Sequence, residues 1–304
     1  MRVGGQAIME GVLMRSPNFW GMAVRTPSGG MDVRAERFRS VTRKSLLFRL
    51  PVIRGFVSLG ETLWLGMRAL ALSTNLALGE EEELSKKEIA GTLLFGLVLA
   101  LVLFLAVPVF GTKGLGALLG NSIQNPILFN LIEGVLRVGI FIVYLLGITA
   151  LSKDIKRFFA YHGAEHKAIK VYERGEELVP ENARKLDTSH VRCGTSFILY
   201  VLVMSIIVFS LLGVEGWLYM LLSRIIVIPI VAGLAFEFIM WSARHQDNPV
   251  VKVLVWPGIQ MQKLTTREPS DDMVEVAMAS LKKVLVMEDE AKIGANEATN
   301  KLVI

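Results

Sequence analysis

Residues Ile89–Phe110 read IAGTLLFGLVLALVLFLAVPVF. The run carries no charge and, wound as a helix, crosses about 30 Å, the thickness of a bilayer's hydrocarbon. Three more stretches share this character: Pro126–Leu151, which contains Glu133 and Arg137; Thr195–Leu212; and Trp217–Trp241, which includes Arg224 and Glu237. Gly213–Gly216 is so short that the last two are expected to form a tight helical hairpin. Hydrophobic residues make up 52% of the 304-residue chain, more apolar surface than a soluble core of that size encloses. The reading is a mainly α, polytopic membrane protein with about four transmembrane helices, a small N-terminal β-unit and a cytoplasmic amphipathic-helix region.

Basic residues outside the spans set the orientation. Arg34, Arg37, Arg39, Arg43, Lys44, Arg49 and Arg54 precede the first span. Lys153, Lys156, Arg157, Lys167, Lys170, Arg174, Arg184, Lys185 and Arg192 lie between the second and third, and Arg244, Lys252, Lys263 and Arg267 follow the fourth. The two other loops hold little beyond Lys113. All three basic segments, and both termini, are therefore expected in the cytoplasm. The net charge of +5 follows from this juxtamembrane placement beside anionic headgroups, which excludes a nucleic-acid partner and makes the lipid bilayer the partner. Cys193 is the sole cysteine, so no intrachain disulfide forms. Met1–Gly30 lacks a basic start followed by an apolar run, so the first hydrophobic helix is expected to act as the insertion signal.

Outward from the spans, residues 1–45 read as a cytoplasmic β-unit, with Phe19–Thr26 and Met31–Phe38 flanking the turn Pro27-Ser28-Gly29-Gly30. Residues 46–88 are apolar but interrupted by Arg49, Pro51, Arg54, Gly55, Glu61 and Arg68, and read as a pair of interfacial or re-entrant helices ending in a solvated acidic loop, Glu80–Glu83. Residues 89–151 form the first transmembrane hairpin, 152–194 a His-rich cytoplasmic loop and helix, and 195–241 the second hairpin. In the region 242–304, Ser270 caps a helix over about 270–290 with Asp271 and Asp272 in its first turn.

The four histidines carry the chemistry. His162 and His166 lie in Tyr161-His162-Gly163-Ala164-Glu165-His166-Lys167, within an amphipathic helical run that Gly175 ends. Side chains four apart on a helix point the same way, so both imidazoles reach one metal ion, with Glu165 beside them as a base; this is the H-x-x-E-H order. The bland alternative is a pair of surface-helix histidines. His190 and Cys193, spaced H-x-x-C immediately before the third span, suit the same ion as alternative ligands, although a cap and a small buried hydrophobe explain them too. Glu237, at the end of the fourth span, needs a partner and is read as the third ligand. His245 stands two turns beyond it, roughly 12 Å along the axis, and is read with Arg192 as a supporting or substrate-binding group. Gln6, Glu10 and Arg15 in the glycine-rich start either line a site or belong to a β-turn; the spacing is not a dinucleotide fingerprint.

Gly4–Arg15, Tyr161–Glu173 with its H-x-x-E-H, Ser189–Ser196 and Trp256–Pro269 together resemble the YqhQ-like family of bacterial membrane proteins, domain of unknown function 1385. The resemblance covers nearly the whole chain except the final dozen residues. It implies a protein of the bacterial plasma membrane and, through the family's label of predicted metal-dependent enzyme, a metal; it supplies no substrate. The leading expectation is a metal-dependent hydrolase at the cytoplasmic membrane interface, with Zn²⁺ on His162, His166 and Glu237, Glu165 as general base, and a lipid-linked or membrane-peptide substrate. Two alternatives remain open: a scaffold or assembly factor with a closed His162, His166, His190 and Cys193 site, and a transporter or channel using Glu133, Arg137, Arg224 and Glu237.

Overall fold

The computed structural model describes the chain except residues 2, 79–84, 121, 122, 124, 213–215 and 302–304; at 86, 89, 216–218, 220, 221, 225 and 294–301 the backbone alone is described. The expected acidic loop and the turn of the second hairpin lie mostly outside the described residues.

Four stretches are long and apolar enough to cross a membrane: Ala90–Leu118, Pro126–Leu151, Gly194–Leu212 and Leu222–Ser242. The first is built from α2 (Lys86–Leu101), a π-helical turn (Val102–Ala106) and α3 (Val107–Leu118). Ser85 and Glu88 start it with a reciprocal capping box. The π turn ends two residues before Pro108, whose ring supplies no N–H to a regular ladder. Asn125 caps α4 (Pro126–Leu151). α7 (Gly194–Leu212) packs on α4, where Gly134 lies against Ile206, and α8 (Gly216–Ser242) packs on α7 through Tyr200, Ala235 and Ile239.

The N-terminal β-unit is a four-stranded antiparallel sheet in sequential order: β1 (Gly4–Ile8), β2 (Gly11–Arg15), β3 (Phe19–Arg25) and β4 (Met31–Arg37). The expected hairpin is β3–β4, with Phe19 opposite Arg37 and Arg25 opposite Met31. The glycine-rich start supplies two further strands, turned at Met9 and Glu10. Both faces of the sheet are buried, which explains why β2 and β3 do not alternate apolar with polar residues. Val12, Met14 and Ala23 face α5 (Lys153–Glu173) and α10 (Asp271–Lys301). Leu13, Trp20, Met22 and Val24 face Leu65 and Ala69 of α1 (Ile53–Leu78).

Three expectations need correcting. Residues 46–88 do not hold a helix pair before the first span: after 3-10 turns at Val41–Arg43 and Leu47–Arg49, α1 is one continuous helix, because neither Gly nor Arg breaks a helix packed on both the sheet and α8. The His-bearing helix is not amphipathic over its centre. From Phe159 to Val171 α5 is buried almost all round, with the sheet, α10 and two connecting segments covering it. A helix absent from the expectation, α9 (Pro249–Thr265), is capped by Asn248 and packs on α7, Gly258 lying against Tyr200 and Ser196. A short α6 (Pro180–Arg184) joins α5 to α7.

Candidate metal centre

The connecting segment 265–268 is stapled along α5. The Arg267 N–H donates to Phe159 O at 2.9 Å, and buried Lys167 pairs with Glu268. Its close approach requires Gly163, where an added Cβ would stand 2.2 Å from Arg267 O. The second segment, ending α6 and leading to α7, is tied to the first by a 3.0 Å hydrogen bond between Thr188 Oγ1 and Thr266 Oγ1. Each segment offers one carbonyl to one histidine. His162 Nδ1 donates to Thr265 O at 2.8 Å, and His166 Nδ1 donates to Thr188 O at 2.5 Å.

A carbonyl can only accept, so both imidazoles carry a hydrogen on Nδ1, and in the neutral form the lone pair is on Nε2. That is the arrangement in which protein histidines bind metals. The rings lie one helical turn apart with centroids 4.5 Å from each other. Cys193, at the residue preceding α7, brings Sγ to 3.4 Å from His162 Nε2. One ligand atom from each of His162, His166 and Cys193 lies within 4.8 Å of the other two, and His166 and Cys193 are buried.

Glu165 Oε2 stands 3.4 Å from His166 Nε2, and its carboxylate accepts a hydrogen bond from the Gly5 N–H of β1. Burial pushes this carboxyl up to about 7, against the opposing pull of Arg192. Two imidazole nitrogens, a sulfur and a carboxyl thus converge.

The remaining expected site residues are placed elsewhere. Glu237 does not join the histidines: Arg54 of α1 grips it with two hydrogen bonds of 2.7 and 2.5 Å, which answers its need for a partner. His190 lies beside the cluster, its ring 5.6 Å from that of His166, but both nitrogens are engaged. Nδ1 accepts the Arg192 N–H at 3.3 Å, and Nε2 faces Glu173 at 3.3 Å. Burial lowers the His190 pKa, against the opposing pull of Glu173. Arg192 binds Val3 O and Glu173. His245 is exposed, donating to Trp241 O and stacked on that indole. Glu10 binds Arg157 and Tyr161, and Arg15 binds Glu61. The Gln6 amide is buried against Gly66 of α1. Within the spans, Glu133 is shared by Arg137 and Arg224, all three buried.

Several supporting residues escaped the sequence reading. Gln262 exchanges two 2.8 Å hydrogen bonds with the backbone of His190 and donates to Ser196 Oγ at 2.7 Å, which fixes the turn that carries Cys193. Gly5, Thr188 and Thr265 act through backbone atoms, which leave no side-chain signature; only the Gly at position 163 inside the H-x-x-E-H run hinted at a crossing segment.

A family model described as "Protein of unknown function (DUF1385)" matches residues 50–287, a range that includes His162, Glu165, His166 and Cys193. The chain is also 30% identical over 301 residues to the uncharacterized protein YqhQ of Bacillus subtilis (strain 168), covering 94% of this chain and 92% of that one. No solved structure matches. The chain belongs to the DUF1385 family.

Proposed function

We propose that this protein holds one divalent metal ion, Zn²⁺, on His162, His166 and Cys193, and acts as a hydrolase at the cytoplasmic face of the membrane. The observation that supports it is the double commitment of Nδ1: two carbonyls turn both Nε2 lone pairs toward the Cys193 sulfur and the Glu165 carboxyl. Nitrogen and sulfur donors in this combination suit Zn²⁺. A bound Zn²⁺ supplies Lewis acidity and a nucleophile at neutral pH. Glu165, with a pKa pushed up to about 7, is suited to take and return a proton. The distribution of Lys and Arg supports a cytoplasmic site, and its position where α5, α7 and α9 meet suits a substrate that is lipid-linked or a membrane-embedded peptide.

The test is metal content of the full-length protein by plasma mass spectrometry, together with the absorption spectrum of its Co²⁺ form. One ion per chain is expected, lost in His162→Ala, His166→Ala and Cys193→Ala and kept in His190→Ala, His245→Ala and Glu237→Gln. Failure to take up stoichiometric Zn²⁺ or Co²⁺ after reconstitution would sink the proposal.

A second reading is a closed structural site in a membrane scaffold, favoured by one observation: Glu165 is buried as deeply as the ligands and stands 3.4 Å from His166 Nε2, within reach of being the fourth. Glu165→Gln separates the two. A Co²⁺ spectrum unchanged by the substitution but perturbed by added cyanide marks an open position and the hydrolase. A spectrum altered by the substitution and insensitive to cyanide marks the closed site.

A further inference from the structure

Residues 41–60 leave the sheet and return to it as a closed excursion. Its neck is a single carboxylate: Glu61 accepts from the Val41 N–H at 2.5 Å, from Ser40 Oγ at 2.9 Å and from Arg15 of β2 at 2.7 Å. From Glu61 back to Ile53 the excursion follows α1 for about 12 Å. Its far end rests on the side of α8, well inside the apolar span. An added Cβ on Gly55 would stand 3.0 Å from Gly233 O, and one on Gly233 only 2.4 Å from Val52 O. Gly233 precedes the end of α8 at Ser242 by nine residues, roughly 14 Å. At this crossing Val52 has φ 69°, a left-handed backbone that a β-branched residue seldom adopts.

The tip is apolar and uncovered. Leu46 is 79% exposed, Leu47 54%, Leu50 50% and Phe56 49%, a patch that water would penalise. Much of its backbone is satisfied from within: the N–H groups of Leu47, Arg49, Leu50, Ile53, Arg54 and Phe56 find local acceptors, and Pro51 has none to satisfy. Local satisfaction of this kind is what irregular backbone needs at membrane depth. Lys44 and Arg49 are exposed around the tip, with stems long enough to reach phosphates while the leucines lie deeper; Arg43 turns back to Asn18 Oδ1 and Pro17 O.

We propose that residues 41–60 form a re-entrant wedge, which inserts Leu46, Leu47, Leu50 and Phe56 among the acyl chains of the leaflet nearest the sheet and sets Lys44 and Arg49 on anionic headgroups. The occupant is a phospholipid leaflet, because the patch continues the lipid-facing surface of α8 and its basic rim complements anionic lipid. The wedge grips the sheet through Glu61 and α1, and thereby holds β1, whose Gly5 N–H binds Glu165, at a fixed height over the membrane.

The test uses full-length protein in nanodiscs, with a nitroxide attached to the thiol that Leu47→Cys introduces in a Cys193→Ser background; control labels replace Ser28 in the hairpin turn and Leu97 in the first span. Accessibility to oxygen relative to a water-soluble nickel chelate reports depth. At position 47 this ratio is expected to exceed that at 28 severalfold and to approach that at 97. It should rise further when phosphatidylglycerol replaces part of the phosphatidylcholine, and this rise should vanish in Lys44→Glu/Arg49→Glu. A ratio at 47 equal to that at 28 overturns the wedge. Protection from both reagents also overturns it, since another protein surface then covers the tip. Equal depth in the two lipid mixtures overturns the headgroup contact. Hydrogen exchange of the wild-type protein, with Cys193 intact, supplies the second readout: peptides covering 44–58 should exchange more slowly in nanodiscs than in detergent, and no difference counts against the wedge.

Discussion

At the residue scale the candidate centre depends on atoms that no side-chain motif announces. H-x-x-E-H and H-x-x-C were both legible, because helical spacing alone puts His162 and His166 on one face and a span end puts Cys193 near them. The assignment of Glu237 failed because its partner, Arg54, lies 183 positions away. Gly163 exposes the dependence most directly, since Arg267 O occupies the space of its missing Cβ. Gly163→Ala should raise the intrinsic helix propensity of α5 yet destabilise the protein by roughly 1–3 kcal/mol through overpacking. It should also weaken Co²⁺ uptake by pulling Thr265 O away from His162; thermal unfolding and a Co²⁺ titration check both effects. Gln262→Leu leaves the buried N–H of His190 without its partner, a loss of about 1–3 kcal/mol. A lowered melting temperature with undiminished metal affinity would show that the amide supports the fold but not the position of Cys193.

At the scale of elements, the spans were legible from length and composition, which need no knowledge of neighbours. α9 was not: Val250-Val251-Lys252-Val253-Leu254-Val255-Trp256-Pro257 is β-branched and holds an internal proline. Asn248 followed by Pro249 was the available signal, a capping residue before proline at the first helical position. β2 was hard to place for the opposite reason, since burial on both faces removes the alternation that marks a half-buried strand, whereas β3 was legible from the turn that follows it. Within the spans, Glu133 holds together α4 and α8 by accepting from Arg137 and, at 3.0 Å, from Arg224. Removing the shared carboxylate leaves two guanidinium groups in an apolar setting. Glu133→Gln should therefore cost about 3–5 kcal/mol, read as a fall in the temperature at which detergent-solubilised protein aggregates. Glu36→Gln, at the exposed pair with Arg68, should leave that temperature nearly unchanged. Equal effects from the two would mean that the intramembrane triad contributes no more than a surface pair.

At the scale of the molecule, spans and sheet are not separable units. α1 joins the sheet to α8, α9 packs on α7, and the candidate ligands come from α5 and from the residue that opens α7. The cluster therefore lies on whichever side of the membrane the sheet lies, so orientation bears directly on its chemistry. The loops at the sheet end collect nearly all the Lys and Arg outside the spans, and the opposite loops nearly none. A positive charge bias of this size predicts a cytoplasmic sheet, with the sheet-side termini inside. Alkaline phosphatase inserted between Gly29 and Gly30, or fused after Lys292, should be inactive, whereas a fluorescent protein at either place should fold and fluoresce; insertion after Gly120 should reverse the pattern. An active phosphatase at the sheet end would place Cys193 in an oxidising compartment, where a lone thiol is prone to oxidation and a poor resident metal ligand. That result would count against both the hydrolase and the closed metal site, while leaving the re-entrant wedge intact, because an apolar tip inserts into either leaflet.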